Sequence, residues 1–186
     1  MRFPMARHPL LASLACLSIL AGGWAPAAPA RRGPAQDQAP QQILKAAFIC
    51  HFLSLTQWPE RKDTLLLGIY GHNPQGDELA RVMPKKVGAI GLRVVRIDAD
   101  SGQLESLDAL YIPATNQDEV PGILKRLGQL PILTIGDGPR FTQEGGLIGL
   151  VVVEGKLRFD INQGMAKKKG LQFRAMLRDL ARETLD

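Results

Sequence analysis

Apolar positions along this chain fall into two alternating spacings. Residues 43–57 are mostly apolar and lack Gly and Pro, which predicts a helix. Trp58-Pro59 stops it, because the residue before a proline avoids the helical region. Residues 65–70 are a short continuous apolar run, the pattern of a strand buried on both faces. Gly71-His72-Asn73-Pro74 turns the chain, and residues 75–83 fit a short helix with Pro74 at its start. Residues 92–97 and 107–112 predict a second and a third strand. Asn116 with Glu119 three positions on reads as a capping box, and Val120, Ile123, Leu124 and Leu127 follow at helical spacing. Residues 132–135 predict a fourth strand. Residues 147–153 and 156–161 predict two more, joined by the hairpin signal Glu154-Gly155. Asn162 is placed to cap a last helix with an apolar stripe of Ala166, Gly170, Phe173, Leu177, Leu180 and Ala181.

Strands that alternate with helices predict a three-layer α/β domain. Its central sheet is mostly parallel with helices on both faces, and the C-terminal hairpin supplies an antiparallel edge. No repeat or second domain is visible over residues 43–185.

The first thirty residues carry a different pattern. Arg2 and Arg7 precede an apolar run over residues 10–21, and small residues follow at Ala25-Pro26-Ala27 and Ala28-Pro29-Ala30. Basic, apolar, then small predicts an export signal cleaved near Ala27 or Ala30 and a mature chain that works outside the cytoplasm. Cys16 lies in mid-run and not behind small residues at its end, which argues against lipidation. Residues 31–42, rich in Ala, Pro and Gln, read as a flexible leader. Cleavage would leave 21 cationic and 18 acidic side chains, a net charge near +3 that gives no argument for nucleic acid. It would also leave Cys50 alone, so no intramolecular disulfide is expected.

Candidate chemistry is sparse. His51 neighbours Cys50 on a helix, where adjacent residues point about 100° apart and cannot form a dyad. His72 and Asn73 follow one strand and Asp137 follows another. All three are expected at the carboxyl ends of the sheet, where open α/β sheets bind ligands. They could line one crevice, or Asn73-Pro74 and Asp137-Gly138 could be turn residues only. Gly71 to Gly76 has phosphate-loop spacing, but Asp77-Glu78 stand where Lys-Ser/Thr is required. Histidine and cysteine are too few for a zinc site, no nucleophile and base are spaced for hydrolysis, and no cofactor is implied. Lys167, Lys168, Lys169, Arg174, Arg178 and Arg182 make the last helix basic, which reads as a solvated face. These features favour a binding or regulatory module over an enzyme.

Several segments resemble the YfiR family. They are Lys45-Ala46-Ala47-Phe48-Ile49, Phe52 and Trp58-Pro59-Glu60, then Leu66-Gly68-Ile69-Tyr70-Gly71-His72-Asn73-Pro74. Residues 131–137, Phe141, Gly145-Gly146 and Ile148 continue the match, and Arg158-Phe159-Asp160-Ile161-Asn162 leads into the closing segment to Arg182. The resemblance implies a periplasmic, non-enzymatic repressor that binds the periplasmic domain of an inner-membrane diguanylate cyclase. It also implies an OmpA-like outer-membrane lipoprotein that sequesters the repressor, and a homodimer. Release of the cyclase would raise cyclic di-GMP and biofilm. Well-known members carry paired cysteines, whereas this chain would keep only Cys50, so redox control by internal disulfides is not expected here. Expected partner contacts are Phe52, Trp58, Pro59, Glu60, Phe141, Arg158 and Asp160. Trp58 could equally be core. Arg158 and Asp160 share a strand face and are expected to pair, Asn162 to cap a helix, and Gly145 and Gly146 to shape the loop behind Phe141. The alternative reading is a periplasmic small-molecule sensor or carrier acting with another membrane receptor.

Overall fold

A computed structural model describes residues 34–98 and 101–186. The expected export signal, its cleavage point and the first residues of the leader lie outside the described residues. Helix α1 (Pro34–Leu55) opens the described chain. It is followed by β1 (Thr56–Gln57), β2 (Thr64–Tyr70), α2 (Pro74–Val82), β3 (Lys86–Val87) and β4 (Ile90–Ile97). Then come β5 (Ala109–Ile112), α3 (Val120–Leu127), β6 (Leu133–Asp137), β7 (Ile148–Val153) and β8 (Lys156–Asn162). The chain closes with α4 (Gln163–Lys168), β9 (Gln172–Phe173), α5 (Ala175–Leu180) and β10 (Glu183–Leu185).

The main sheet has the order β10-β8-β7-β6-β5-β2-β4-β3. Strands β4, β2, β5, β6 and β7 run parallel, as the alternation predicts. Strand β3 is antiparallel to β4, and β8 is antiparallel to β7. Glu154 and Gly155 both take positive φ, 50° and 72°, as the tight hairpin turn between β7 and β8 requires. The hairpin is not the sheet edge, because β10 lies parallel to β8 and covers Asp160 to Asn162.

Residue alternation decides which face each side chain joins. Leu65, Leu67 and Ile69 of β2 join a core cluster with Ile49 and Phe52 of α1 and Leu79 of α2. Tyr70 joins the opposite cluster with Val120, Ile123 and Leu127 of α3. Helices therefore cover both faces, and a sheet so covered needs strands that are apolar throughout.

Local structure departs from expectation in four places. Helix α1 starts at Pro34 and not at residue 43, so it includes part of the segment expected to be a flexible leader. It ends at Leu55, because Thr56 and Gln57 pair with Phe173 and Gln172. Asn116 and Glu119 form no capping box. Asn116 Nδ2 donates to Glu119 Oε1 at 2.8 Å, Tyr70 donates to Glu119 Oε2 at 2.6 Å, and both bonds hold that carboxyl below its usual range. The expected last helix is two short helices split by β9. Gly170 takes φ 76° at the end of α4, a conformation that breaks the helix and sends the chain into the small sheet. As a result Lys169, expected on a solvated basic face, is buried, and its ammonium donates to the Gly128 carbonyl. Burial pulls its pKa down.

Candidate functional site

His72, Asn73 and Asp137 all lie at the carboxyl end of the sheet but serve separate places. His72 is exposed, with Nδ1 2.7 Å from Asp98 Oδ1. Asn73 is the N-cap of α2, its Oδ1 accepting from Gly76 N at 2.8 Å. Asp137 is buried. Its Oδ2 accepts from Lys45 Nζ at 2.7 Å, from the Tyr111 hydroxyl at 2.9 Å and from Ala114 N at 3.2 Å. Burial, then the Asp137 charge, push the Tyr111 hydroxyl well above its ordinary pKa. Strand β5 separates β2 from β6, and the loop after β5 packs Asn116 against Gly71, where a Cβ would lie 2.9 Å from Asn116 Oδ1. That contact occupies the expected crevice. Asp137 instead lines a cavity of about 370 Å³ with Lys45, Gln117, Leu150 and Arg182. Asp137 Oδ1 is buried with no partner among the described residues.

Trp58, Pro59 and Glu60 sit at the opposite, amino end of the sheet. Trp58 is half-buried, and its Nε1 donates to the Asp108 carbonyl at 3.1 Å. Pro59 and Glu60 are exposed. With Lys62 and Ile132 these residues line a cleft of about 310 Å³. Asp108, which the sequence did not single out, organises the cleft. Its Oδ2 accepts from Leu66 N at 2.8 Å, and its Oδ1 lies 3.2 Å from Lys62 Nζ. An acid just before a buried strand was the available signal.

Two expected partner contacts are core. Phe52 is fully buried and packs on Phe159 with ring centroids 4.9 Å apart. Phe141 is buried between Gly136 and Gly146, where an added Cβ would lie 2.2 Å from its ring in either case. Gly145 takes φ 100°, which lets the loop return to the sheet. Asp160 does not pair with Arg158. It is buried at 1% exposure and receives two guanidinium bonds from Arg182, the Nε bond at 2.8 Å. The long arm of Arg182 reaches Asp160 because β10 runs alongside β8. Asn162 caps α4, its Oδ1 accepting from Met165 N and its Nδ2 donating to the Thr142 carbonyl.

A third concavity, of about 360 Å³, opens between α1, β8 and α5. Phe48 and Leu157 line it, with Leu44, His51, Arg158 and Leu180 around them. Cys50 is half-buried on the same helix, and burial pushes its thiol above the ordinary range, which lowers its reactivity. Among the described residues no group of three or more His, Cys, Asp or Glu is placed to hold a metal ion. No helix among them is long and apolar enough to cross a membrane.

A family model described as YfiR/HmsC-like, DUF4154, matches residues 42–182. The chain belongs to the YfiR/HmsC-like family. Two solved structures share its fold. A conserved domain protein from Vibrio cholerae is 14% identical with a TM-score of 0.57, over 77% of this chain. An "ABC domain in complex with L-Trp" from Streptococcus pneumonia is 12% identical with a TM-score of 0.53, over 80% of this chain. This YfiR/HmsC-like chain spans 60% of the length of each. No curated protein matches it.

Proposed function

We propose that this chain is a periplasmic regulatory protein that binds the periplasmic domain of an inner-membrane diguanylate cyclase and holds it inactive. Family membership over residues 42–182 carries this reading. The export pattern of the first thirty residues supports it, as does the use of the buried Asp137 and Asp160 carboxylates in ion pairs. In this reading the protein carries out no reaction itself, an OmpA-like outer-membrane lipoprotein competes for it, and it works as a homodimer. Deleting the gene is expected to raise cyclic di-GMP and biofilm. Unchanged cyclic di-GMP in a strain that retains the cyclase would refute the proposal.

One observation favours a second reading, a small-molecule sensor or carrier. Asp137 Oδ1 is a buried acceptor without a partner among the described residues, and Asp137 lines a cavity of about 370 Å³. A solved structure of similar fold holds L-Trp. This reading predicts that one of the twenty common amino acids raises the melting temperature and that Asp137→Asn abolishes the shift. No shift with any of them counts against it.

A further inference from the structure

Exposed large apolar side chains are not scattered over this protein. Of six among the described residues, Ile43 and Leu44 lie on α1, Val152 and Val153 on the β7–β8 hairpin, and Leu180 at the end of α5. Three of these elements meet at the concavity floored by Phe48 and Phe159, whose rings pack edge to face at 6.1 Å. Leu157 lines it and pairs across the hairpin with Val152, which is 72% exposed. The apolar surface therefore continues from the concavity onto the hairpin. Soluble domains rarely leave such a contiguous patch uncovered, and a polar rim around one marks a docking site.

The rim indicates the chemistry of the occupant. Among the described residues, the two polar ones that line the concavity are Arg158 and His51, and no acid lines it. Arg158 is exposed, and no ion pair or hydrogen bond of its side chain is formed with the described residues. Lys156, two residues before Arg158 on β8, is exposed as well and adds a second positive charge to that strand. A basic rim around an apolar floor complements an apolar segment bearing a carboxylate.

We propose that the groove between α1, β8 and α5 is where this chain holds its membrane partner. The bound element is an amphipathic segment of the partner's periplasmic domain. Its apolar side chains sit on Phe48, Leu157 and Leu180, and an acidic side chain meets Arg158. This assignment rests on the regulatory reading above and adds to it the face used and the character of the segment bound.

The test uses the mature chain purified from the periplasm, titrated against the purified periplasmic domain of each membrane diguanylate cyclase of the producing organism. Leu44→Glu, Leu180→Glu and Arg158→Glu change exposed side chains and are expected to melt like the wild type. Each is expected to weaken binding at least tenfold. Lys125→Glu, on α3 across the sheet, is expected to leave binding unchanged. If the wild type binds a domain and the groove variants bind it equally well, the groove assignment is wrong and the regulatory reading stands. The same holds if Glu60→Lys abolishes binding while the groove variants do not, which assigns the amino-end cleft. If the wild type binds none of the domains, both fail. Binding of the wild type to phosphatidylglycerol vesicles, lost in the groove variants, would overturn the proposal in favour of a lipid surface.

Discussion

Several single residues are fixed here by what surrounds them, and glycine shows this most directly. Phe141 can lie flat on the sheet because Gly136 beneath it and Gly146 beside it lack side chains, each leaving a gap that a Cβ would overfill by approaching to 2.2 Å. The neighbours on both sides are ring carbons of a buried Phe, which cannot swing away as the end of a long flexible side chain could. Gly146→Ala is therefore expected to cost about 1–3 kcal/mol, the range for overpacking a filled core. Gly122 offers the opposite case. It lies within α3 with no atom within 4 Å of a built Cβ. There Gly122→Ala is expected to stabilise by about 0.5–1 kcal/mol, because alanine loses less freedom in a helix. Urea melts of the two variants check the pair. A neutral Gly146→Ala would show that Phe141 is loosely held and free to act at a surface after all. The same attention to surroundings separates Asp160 from Arg158. Alternation along β8 put both on one face, but only the partner strand decides which cation arrives.

At the scale of elements, the sequence was legible wherever hydrophobic period and turn chemistry agreed. Strands β2, β4, β6, β7 and β8 and helix α2 lie within a few residues of their expected positions, since each is a dense apolar run or an amphipathic turn bounded by Gly, Pro or Asn. The carboxyl-end placement of His72 and Asp137 followed as well, because parallel strands put all their exits on one side. What failed was long-range. Residues 163–181 carry a helical stripe, yet Phe173 is drawn into a strand by Thr56, over a hundred residues earlier in the chain. A single sequence gives no sign of that partner, and the only local hint was Gly170. Similarly, nothing in Lys169 distinguishes it from Lys167 and Lys168. It is buried because α4 ends at that point, leaving the side chain beside the last turn of α3 and the Gly128 carbonyl. The expected crevice failed for the same reason. Asn116 was read as a helix cap, but it lies inside a 3-10 helix over Ala114–Glu119 that kinks at Asn116, and its side chain packs on Gly71 instead. Phe52 and Phe141 were expected at a surface on the strength of the resemblance, whereas their spacing on α1 and beside two glycines fits the core.

For the whole molecule, the closing segment is the part most exposed to damage. Strand β10 is three residues long and lies at the edge of an eight-stranded sheet. It does two separable things. Its backbone covers Asp160 to Asn162 of β8, and the residue before it, Arg182, neutralises the buried Asp160. These contributions should fail differently. Arg182→Gln leaves the strand in place but strips the charge partner from a carboxylate that has almost no contact with water. Breaking one side of a buried pair costs more than removing both partners, because the remaining charge stays desolvated. The urea midpoint of Arg182→Gln should therefore fall, and adding Asp160→Leu to it should recover part of the loss. If the double variant is as unstable as the sum of the single ones, Asp160 is held by something other than Arg182. Deleting residues 183–186 keeps the ion pair and uncovers the edge of β8 beside the apolar hairpin. An uncovered edge next to exposed Val152 and Val153 is a template for pairing with another chain. That variant is expected to melt near the wild type when dilute but to lose monodispersity as concentration rises, which light scattering reads directly. The two phenotypes together would show that the end of the chain protects the sheet in two ways, by charge and by backbone. It does so immediately beside the groove proposed to hold the partner, so edge pairing and partner binding would compete for neighbouring surface.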